Sequence, residues 1–251
     1  MSESHDPSRT ILYIRSGIFW FFMATTGIVI GGLTVLTFPL PIERRYRFAR
    51  SWALLNLWAL KRICKLDFRV IGQEHIPSEG VVVLCKHQST WETMMLQAVL
   101  PSVRWVLKRE LLRIPFFGWG LAVLGPIAID RSAGRKAVAQ LVQQGRAILD
   151  AGNYVVVFPE GTRASPGEAK KYKLGGAILA VETGHAVLPI AHNAGEFWPR
   201  HSFIKWPGVI EVRIGPKIDT REKTPEQVNT EARDWIETQM QEIGDPARWN
   251  R

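Results

Sequence analysis

An uncharged run of 27 residues, from Ser16 to Ile42, limits what this chain can fold into more than any other feature. As one continuous helix the run would be ~40 Å long, whereas the hydrocarbon core of a membrane is ~30 Å thick. Pro39 and Pro41 should end such a helix, because proline cannot continue the helical hydrogen bonding. Four glycines are expected to interrupt it, namely Gly17, Gly27, Gly31 and Gly32. The run therefore predicts attachment to a lipid bilayer.

The residues that follow this run leave two membrane geometries open. Four arginines lie between residues 44 and 50, and a second apolar run over residues 51–60 is too short to span a bilayer. The segment is either a single span or a two-helix hairpin that enters one leaflet and returns. In both geometries the positive-inside tendency places the arginines and the rest of the chain on the cytoplasmic side of the cytoplasmic membrane. We therefore predict a membrane-attachment segment over residues 1–65 and a cytoplasmic domain over residues 66–251.

A signal peptide and a buried soluble helix both fit the apolar run less well than a membrane segment does. A cleaved signal peptide is disfavoured because the start carries Glu3 and Asp6 and no small-residue cleavage pattern follows. A buried helix of a soluble protein is disfavoured by the length of the run and by its flanking arginines and tryptophans. The net charge is +9, and residues 1–66 alone carry +6. This excess suits an anionic membrane surface and a phosphorylated substrate, and we expect no nucleic-acid partner because no nucleic-acid motif is present.

From about Asp67 onward, short β-rich runs alternate with helical ones. Strands are predicted over residues 67–71, 81–85, 104–107, 126–129, 154–158, 186–190 and 209–214. Helices are predicted near residues 89–100, 134–151, 172–182 and 225–243. This alternation is typical of an α/β fold with a largely parallel or mixed sheet covered by helices. In such sheets, functional side chains gather in the loops beyond the carboxyl ends of the strands.

Several kinds of site are absent from the sequence. It contains no Gly-x-Ser-x-Gly nucleophile elbow, no Walker-type phosphate loop, no His-Glu-x-x-His and no dinucleotide fingerprint. The two cysteines, Cys64 and Cys85, have no metal-like spacing, and Cys85 closes an apolar run as a buried residue would. We expect no metal, no cofactor and no disulfide, which favours a reducing compartment.

The segment after the second predicted strand carries a histidine and an acid that are close enough to interact. His87 follows Val81–Cys85 directly, and Glu92 lies five residues further on, in the first turn of the predicted helix. A carboxylate there can accept a hydrogen bond from one imidazole nitrogen and leave the other free to take a proton from an alcohol. Residues 89–92 also have the pattern of a capping box, in which the glutamate would only close the helix. Both interpretations of Glu92 stand at this point.

Three further segments place cations after predicted strands. Glu160, Gly161, Thr162 and Arg163 follow the strand over residues 154–158, where Gly161 permits close approach of a ligand and Arg163 suits a phosphate. Alternatively, Glu160 and Arg163 simply pair across a turn. Arg131 follows the strand over residues 126–129 and either binds an anion or pairs with Asp130. Lys108 and the aromatic cluster over residues 114–119 suit a phosphate and an acyl chain, although aromatic residues are usually part of a core.

Taken together, these segments resemble the glycerolipid acyltransferase family, and specifically the bacterial 1-acylglycerol-3-phosphate acyltransferases. The resemblance covers residues 65–215 in four ordered blocks: Lys86–Glu92, Gly125–Arg131, Phe158–Arg163 and Val187–Ile190. It implies that His87 is the general base, that Arg131, Glu160 and Arg163 hold a glycerol phosphate, and that Lys108 lies near the acyl-transfer centre. The chain departs from the family pattern at Glu92, where an aspartate is usual, and the longer side chain moves the carboxylate by one methylene.

The resemblance also implies a function and a two-helix N-terminal membrane motif. The expected reaction moves an acyl group from acyl-CoA or acyl-carrier protein to the sn-2 hydroxyl of lysophosphatidic acid, without an acyl-enzyme. Two alternatives remain. One is the same chemistry on another lyso-lipid or on glycerol 3-phosphate, and the other is a non-catalytic lipid-binding membrane protein.

Overall fold

A computed structural model of the chain describes residues 8–129 and 134–249, and it begins with two helices that form a hairpin. Helix α1 covers Arg9–Leu36 and α2 covers Ile42–Ala59, and a short π-helical turn over Leu60–Cys64 follows α2. The two prolines lie in the turn between the helices, as predicted. The glycines do not interrupt α1, because packing against the rest of the molecule stabilises a helix that propensity alone disfavours.

The rest of the chain builds one seven-stranded sheet. Its strands are β1 (Leu66–Ile71), β2 (Val81–Cys85), β3 (Val103–Lys108), β4 (Ile127–Ile129), β5 (Tyr154–Val157), β6 (Val187–His192) and β7 (Gly208–Ile214). The remaining helices are α3 (Trp91–Val99), α4 (Phe117–Ala122), α5 (Arg135–Asp150), α6 (Gly175–Thr183) and α7 (Pro225–Ile243). Every predicted strand and helix is present within a few residues of its predicted bounds. Helix α4 begins within the aromatic cluster over residues 114–119, to which the sequence assigned no secondary structure.

The sheet is mixed, which confirms the predicted α/β fold class. Its strand order is β1-β7-β6-β2-β5-β3-β4, and all neighbours are parallel except β6 and β7. Strands β6, β2, β5, β3 and β4 therefore run in one direction. Their carboxyl ends meet at one edge of the sheet, so the loops that follow them are neighbours.

Helices cover both faces of the sheet, and each face has its own apolar core. Alternate residues of β2 point to opposite faces: Val81 and Val83 belong to one core, and Val82 and Leu84 to the other. The first core also takes residues from α1, α2 and α3, including Phe19 and Trp91, both almost fully buried. The second core takes residues from α5, α6 and α7. Because both faces are covered, β2 can be apolar at every position.

Helix α1 lies along the domain and does not project from it. Near its start, Trp20 donates a hydrogen bond to the carbonyl of Phe203. Near its end, a Cβ added to Gly31 would lie 3.0 Å from the carbonyl oxygen of Phe116, so the missing side chain permits close packing beside α4. By length and composition, α1 is apolar and long enough to cross a membrane, and within the described ranges no other helix is. Its outer face is largely exposed, and Phe21 alone is 76% exposed.

Candidate active site

The parallel strands bring most of the predicted site residues to one edge of the sheet. His87 follows β2, Glu160 follows β5, and Lys108 is the last residue of β3. These three strands are direct neighbours in the sheet, with β5 in the middle. The segment Gly125–Arg131 follows β3 in the chain and contains β4. Its last residue, Arg131, lies outside the described residues.

His87 and Glu92 are in contact. The His87 Nδ1 atom lies 2.7 Å from a carboxylate oxygen of Glu92, as the five-residue spacing predicts. The same oxygen also accepts the backbone N–H groups of Gln88 at 3.1 Å and Ser89 at 2.9 Å. Glu92 therefore orients the imidazole and closes the first turn of α3 at the same time. The hydrogen bond to His87 that the sequence allows is present. Only half of the predicted capping box is present, because Ser89 Oγ accepts the backbone N–H of Trp91 and not that of Glu92.

The ionisation of Glu92 decides which imidazole nitrogen carries the proton. Burial by itself raises the pKa of the Glu92 carboxyl, but the hydrogen bonds from His87 and from the backbone N–H of Ser89 bring that pKa below its usual value. The carboxylate is then an acceptor only, so Nδ1 of His87 must be the donor. The lone pair of His87 lies on Nε2, and this nitrogen is free to accept a proton.

One aromatic contact holds the His87 ring in place, and a second supports its partner. The imidazole stacks on Phe158 with 4.0 Å between ring centroids and 15° between ring planes. Phe158 in turn stacks on Trp105 at 6.2 Å. The side chain of His87 is 16% exposed, and it lines a cavity. A ring fixed on one face and open at its edge suits a base that meets a substrate from one direction.

A second histidine lies behind Glu92. The ring of His192 is fully buried, with Nε2 2.8 Å from the carbonyl oxygen of Lys86 and 4.0 Å from Glu92. Its Nδ1 accepts the backbone N–H of Ala194 at 3.2 Å. Nε2 therefore carries the proton and donates it to the Lys86 carbonyl. Burial lowers the pKa of His192, so the ring is neutral in the folded protein.

The carboxylate of Glu160 points inward. Its side chain is fully buried, and one oxygen lies 3.3 Å from the backbone nitrogen of His87 and 3.5 Å from the ammonium of Lys86. The other oxygen has no hydrogen-bond partner among the described residues. Burial raises the pKa of Glu160, and the charge of Lys86 opposes this shift. Glu160 is not among the residues that line the cavity. Its contacts tie the loop after β5 to the backbone of His87.

His87 opens into a cavity of about 560 Å³ between the sheet edge and the helical hairpin. The cavity has two chemically different parts. At its polar end it is lined by His87, Lys108, Gly161, Thr162, Arg163, Arg200 and His201. Its remaining walls are mainly apolar and come from α1, α2, β3, α4 and adjoining loops, including Ile30, Trp52, Leu107, Phe117, Leu121 and Leu124. Helix α3 contributes the polar side chains of Thr93 and Gln97. One cavity therefore joins a base, several cations and an apolar chamber.

The two arginines at the polar end are direct neighbours. Arg200 donates to the main-chain carbonyl of Arg163 at 3.3 Å, and Lys170 donates to the same oxygen at 2.9 Å. Arg163 follows Gly161, whose φ of +71° is a left-handed value that glycine adopts without strain. Arg200 lies in the segment between β6 and β7. Two guanidinium groups at one entrance can bind a phosphate from two directions.

Sequence reasoning missed four residues of this site. Lys86 belongs to the first of the four motif blocks, but its pattern predicts no role. Glu237 contacts it from 151 positions further along the chain. Arg200 has no local pattern that marks it. His192 did carry a signal, because it is a histidine at the carboxyl end of a strand, as His87 is.

Comparisons with known proteins show which family the chain resembles. The Acyltransferase family model matches residues 67–193, which include His87, Glu92 and Glu160 to Arg163. The chain is also 43% identical over 239 residues to the 1-acyl-sn-glycerol-3-phosphate acyltransferase of Pseudomonas aeruginosa, covering 93% of both chains.

The chain belongs to the acyltransferase family.

Other acyltransferases are more distant. The human 1-acyl-sn-glycerol-3-phosphate acyltransferase alpha is 30% identical over 201 residues, covering 78% of this chain and 71% of the human one. The crystal structure of the 1-acyl-sn-glycerophosphate (LPA) acyltransferase of Thermotoga maritima superposes with a TM-score of 0.78, covering 92% of this chain and 95% of that one. At 21% identity, that structure shows that this acyltransferase has the same fold.

Proposed function

We propose that this acyltransferase moves a fatty acyl group to the sn-2 hydroxyl of 1-acylglycerol 3-phosphate and so makes phosphatidic acid. One observation carries the proposal. The His87–Glu92 pair, 2.7 Å apart, opens into a cavity that has arginines at one end and an apolar chamber at the other. A lysophosphatidic acid has the matching parts, namely a phosphate, a free hydroxyl and a long acyl chain. The names of the similar proteins support the same reaction.

The proposed mechanism is direct transfer with His87 as the general base. Nε2 of His87 takes the proton of the sn-2 hydroxyl as its oxygen attacks the thioester carbonyl of acyl-CoA or acyl-carrier protein. The negative charge of Glu92 stabilises the imidazolium that forms. When the carbon–sulfur bond breaks, the imidazolium returns the proton to the leaving thiolate. The products are a new ester and a free thiol, and no residue is acylated.

We assign the phosphate of the acceptor to Arg163 and Arg200. Both line the polar end of the cavity with His87, so a phosphate held there puts the acceptor hydroxyl beside the base. Gly161 and Thr162 line the same end. Lys108 lines the cavity too, and its place near the acyl-transfer centre remains a prediction from resemblance. For Arg131 the role in phosphate binding remains a prediction from resemblance. We assign Glu160 an indirect role, because its buried carboxylate holds the backbone of His87 and not the cavity wall.

We further propose that α1 lies in the surface of the cytoplasmic membrane and does not span it. Its N-terminal half packs near Trp198 and its C-terminal half packs on α4, so a crossing would require it to leave the domain. The exposed positions Ile11, Ile14, Ile18 and Phe21 recur every three or four residues and form an apolar stripe. A helix of this kind would hold the cavity next to the lipids that supply its substrate. The cytoplasmic side remains a prediction from the arginines after Pro41.

The test is a thiol-release assay of the full chain in detergent micelles with a panel of acceptors. Lysophosphatidic acid should be used best, and glycerol 3-phosphate and lysophosphatidylethanolamine poorly.

His87→Ala should lower turnover by ~10²–10⁴-fold, the range for loss of a general base. Arg163→Ala should mainly raise the KM for lysophosphatidic acid. Arg163→Lys should be impaired as well, because a point charge does not replace a planar fork of donors.

The matched control is His185→Ala. His185 lies in the turn before β6, at the opposite edge of the sheet. It should leave turnover within about twofold of wild type, as expected away from the reacting groups. A folded His87→Ala enzyme with near-normal turnover would refute the mechanism. Preference for an acceptor without a phosphate would refute the assigned substrate, and a chain that never releases thiol would be a non-catalytic lipid-binding protein.

A further inference from the structure

A second cavity, of about 260 Å³, lies between α2 and the loop that joins α3 to β3. On the α2 side it is lined by Glu43, Tyr46, Arg47 and Arg50, which share one helix face because they lie three and four residues apart. On the other side it is lined by residues 100–103 and by Gln97 of α3, which also lines the catalytic cavity. This is the edge of the sheet where β3 begins, opposite the edge that carries His87.

Two buried donor groups of this cavity have no acceptor among the described residues. They are the hydroxyl of Tyr46 and the Nε–H of Arg50. Tyr46 is 8% exposed, and its neighbour Arg104 carries only donors, so the phenolic proton has no acceptor there. Burial raises the pKa of Tyr46 to about 12, so the hydroxyl keeps its proton. Burying donors without acceptors is costly, which favours an occupant that accepts hydrogen bonds.

The charge around the cavity is also unbalanced. The guanidinium carbon of Arg104 stacks 3.7 Å above the ring centroid of Tyr46, and Arg104 is only 3% exposed. In the part of the chain that the structure describes, Arg47, Arg50 and Arg104 form no ion pair with a carboxylate. Glu43 lines the cavity but is exposed. Of the three arginines, Arg104 is buried, Arg50 is half-buried and Arg47 is exposed. Buried charges are normally paired, so Arg104 and Arg50 without a carboxylate favour an anion as the occupant.

We propose that this cavity binds a phosphate group at a site separate from the catalytic centre. A phosphate offers several acceptor oxygens, which match the free Arg50 Nε–H, the Tyr46 hydroxyl and the guanidinium of Arg47. The phosphate belongs either to the headgroup of an anionic phospholipid or to free phosphate. Helix α2 also exposes Leu54, Leu55 and Trp58, so a lipid could reach the site from the membrane surface. The proposal does not depend on the acyl-transfer reaction.

The experiment compares two probes on the purified full chain. The first probe is inorganic phosphate, titrated at constant ionic strength with the chain in neutral detergent. The second is a nanodisc of phosphatidylcholine with or without phosphatidylglycerol. The readout is the rise in the unfolding midpoint, which reports binding to the folded state. Arg50→Gln and Tyr46→Phe test the site, and Arg44→Gln is the control because Arg44 is exposed on the same helix and does not line the cavity.

We expect both test variants to weaken binding of at least one probe by roughly tenfold or more, while Arg44→Gln binds as wild type does. All variants keep the catalytic arginines, so phosphate bound there cancels from the comparison. Tyr46→Phe removes one oxygen atom only and keeps the test valid if Arg50→Gln does not fold. If the test variants lose the rise in unfolding midpoint with inorganic phosphate, the ligand is free phosphate. If they lose only the rise with phosphatidylglycerol nanodiscs, the ligand is a lipid headgroup. The proposal would be overturned if the unfolding midpoints of Tyr46→Phe and Arg44→Gln rose equally with both probes. Turnover should be unchanged in all three variants.

Discussion

At the scale of single residues, Glu92 combines two tasks that are usually separate. Its carboxylate accepts a hydrogen bond from Nδ1–H of His87. It also accepts hydrogen bonds from two backbone N–H groups just before α3. A glutamine could keep most of the backbone contacts, because a capping box accepts either side chain. It cannot stabilise an imidazolium, because it carries no charge. Substitution of this one residue therefore separates capping from catalysis.

We expect Glu92→Gln to keep its melting temperature within a few degrees of wild type while turnover falls by ~10²–10⁴-fold. Glu92→Asp restores the carboxylate usual in the resembled family and should keep substantial activity. The measurement pairs a thermal unfolding curve with turnover for each variant. If Glu92→Gln is fully active, another group must orient His87.

His192 makes the stability of the folded protein depend on pH. Burial lowers the pKa of this ring in the folded protein, whereas in the unfolded chain it is close to 6.5. Between those two values the unfolded state binds more protons, so the free energy of unfolding falls as the pH drops below about 6.5. We expect His192→Gln to be less stable than wild type at neutral pH but to lose less stability between about pH 7.5 and pH 5.5. Urea unfolding at both pH values measures this slope. The exposed His201 provides the control, since His201→Gln should keep the wild-type slope.

At the scale of elements, a buried ion pair connects the last helix to the loop that carries the base. The ammonium of Lys86 lies 2.7 Å from Glu237 of α7 and 3.5 Å from Glu160 after β5. Tyr172 donates to the same Glu237 oxygen at 2.8 Å. Lys86 is 1% exposed, so removal of its charge would leave two carboxylates close together with little solvent to separate them. This network fixes α7, the loop after β5 and His87 relative to one another.

Lys86→Met should lower the free energy of unfolding by about 3–5 kcal/mol, the usual cost of breaking a buried pair on one side. Adding Glu237→Gln should restore part of that loss, because one of the two carboxylates is then neutral. Lys217→Met is the matched control. Its partner Glu79 is 2.6 Å away, but both side chains are more than half exposed, so the cost should be about 0–1 kcal/mol. Equal effects of the two lysine variants in urea unfolding would show that the Lys86 network adds no stability.

At the scale of the whole molecule, α1 is both a wall of the cavity and the surface that we propose faces the membrane. Phe19 is fully buried in the core, and Ile30 and Gly31 line the cavity, so deleting the helix would damage the domain itself. Point substitutions on its outer face are therefore the sharper test of membrane attachment. Ile14 and Phe21 are 57% and 76% exposed, and both belong to the apolar stripe.

We expect Ile14→Glu combined with Phe21→Glu to shift the protein from the membrane fraction to the soluble fraction without lowering its melting temperature. Each charge would have to leave water to enter the interface, which opposes binding. Ile71→Glu is the control, because Ile71 is 49% exposed but lies at the end of β1, away from α1. Membrane fractions that are equal for the double variant and the control would contradict attachment through this face.

The sequence by itself determined the elements of this protein and the central pair of its site. Strand and helix positions follow from periodicities of a few residues, and a hydrogen bond between His87 and Glu92 needs only five residues and the start of a helix. Even the edge of the sheet that carries the site could be predicted, because parallel strands place their following loops together.

The tertiary structure alone decided everything that depends on residues far apart in the chain. Lys86 meets Glu237, Arg200 meets Arg163, and His192 lies behind Glu92, although no local pattern links any of these pairs. The continuity of α1 across its glycines also belongs here. Helix propensity counts only local backbone entropy, whereas the close approach of α1 to α4 at Gly31 turns the absent side chain into a packing contact. Such contacts depend on how the sheet and helices assemble in three dimensions, and a linear pattern does not contain that information.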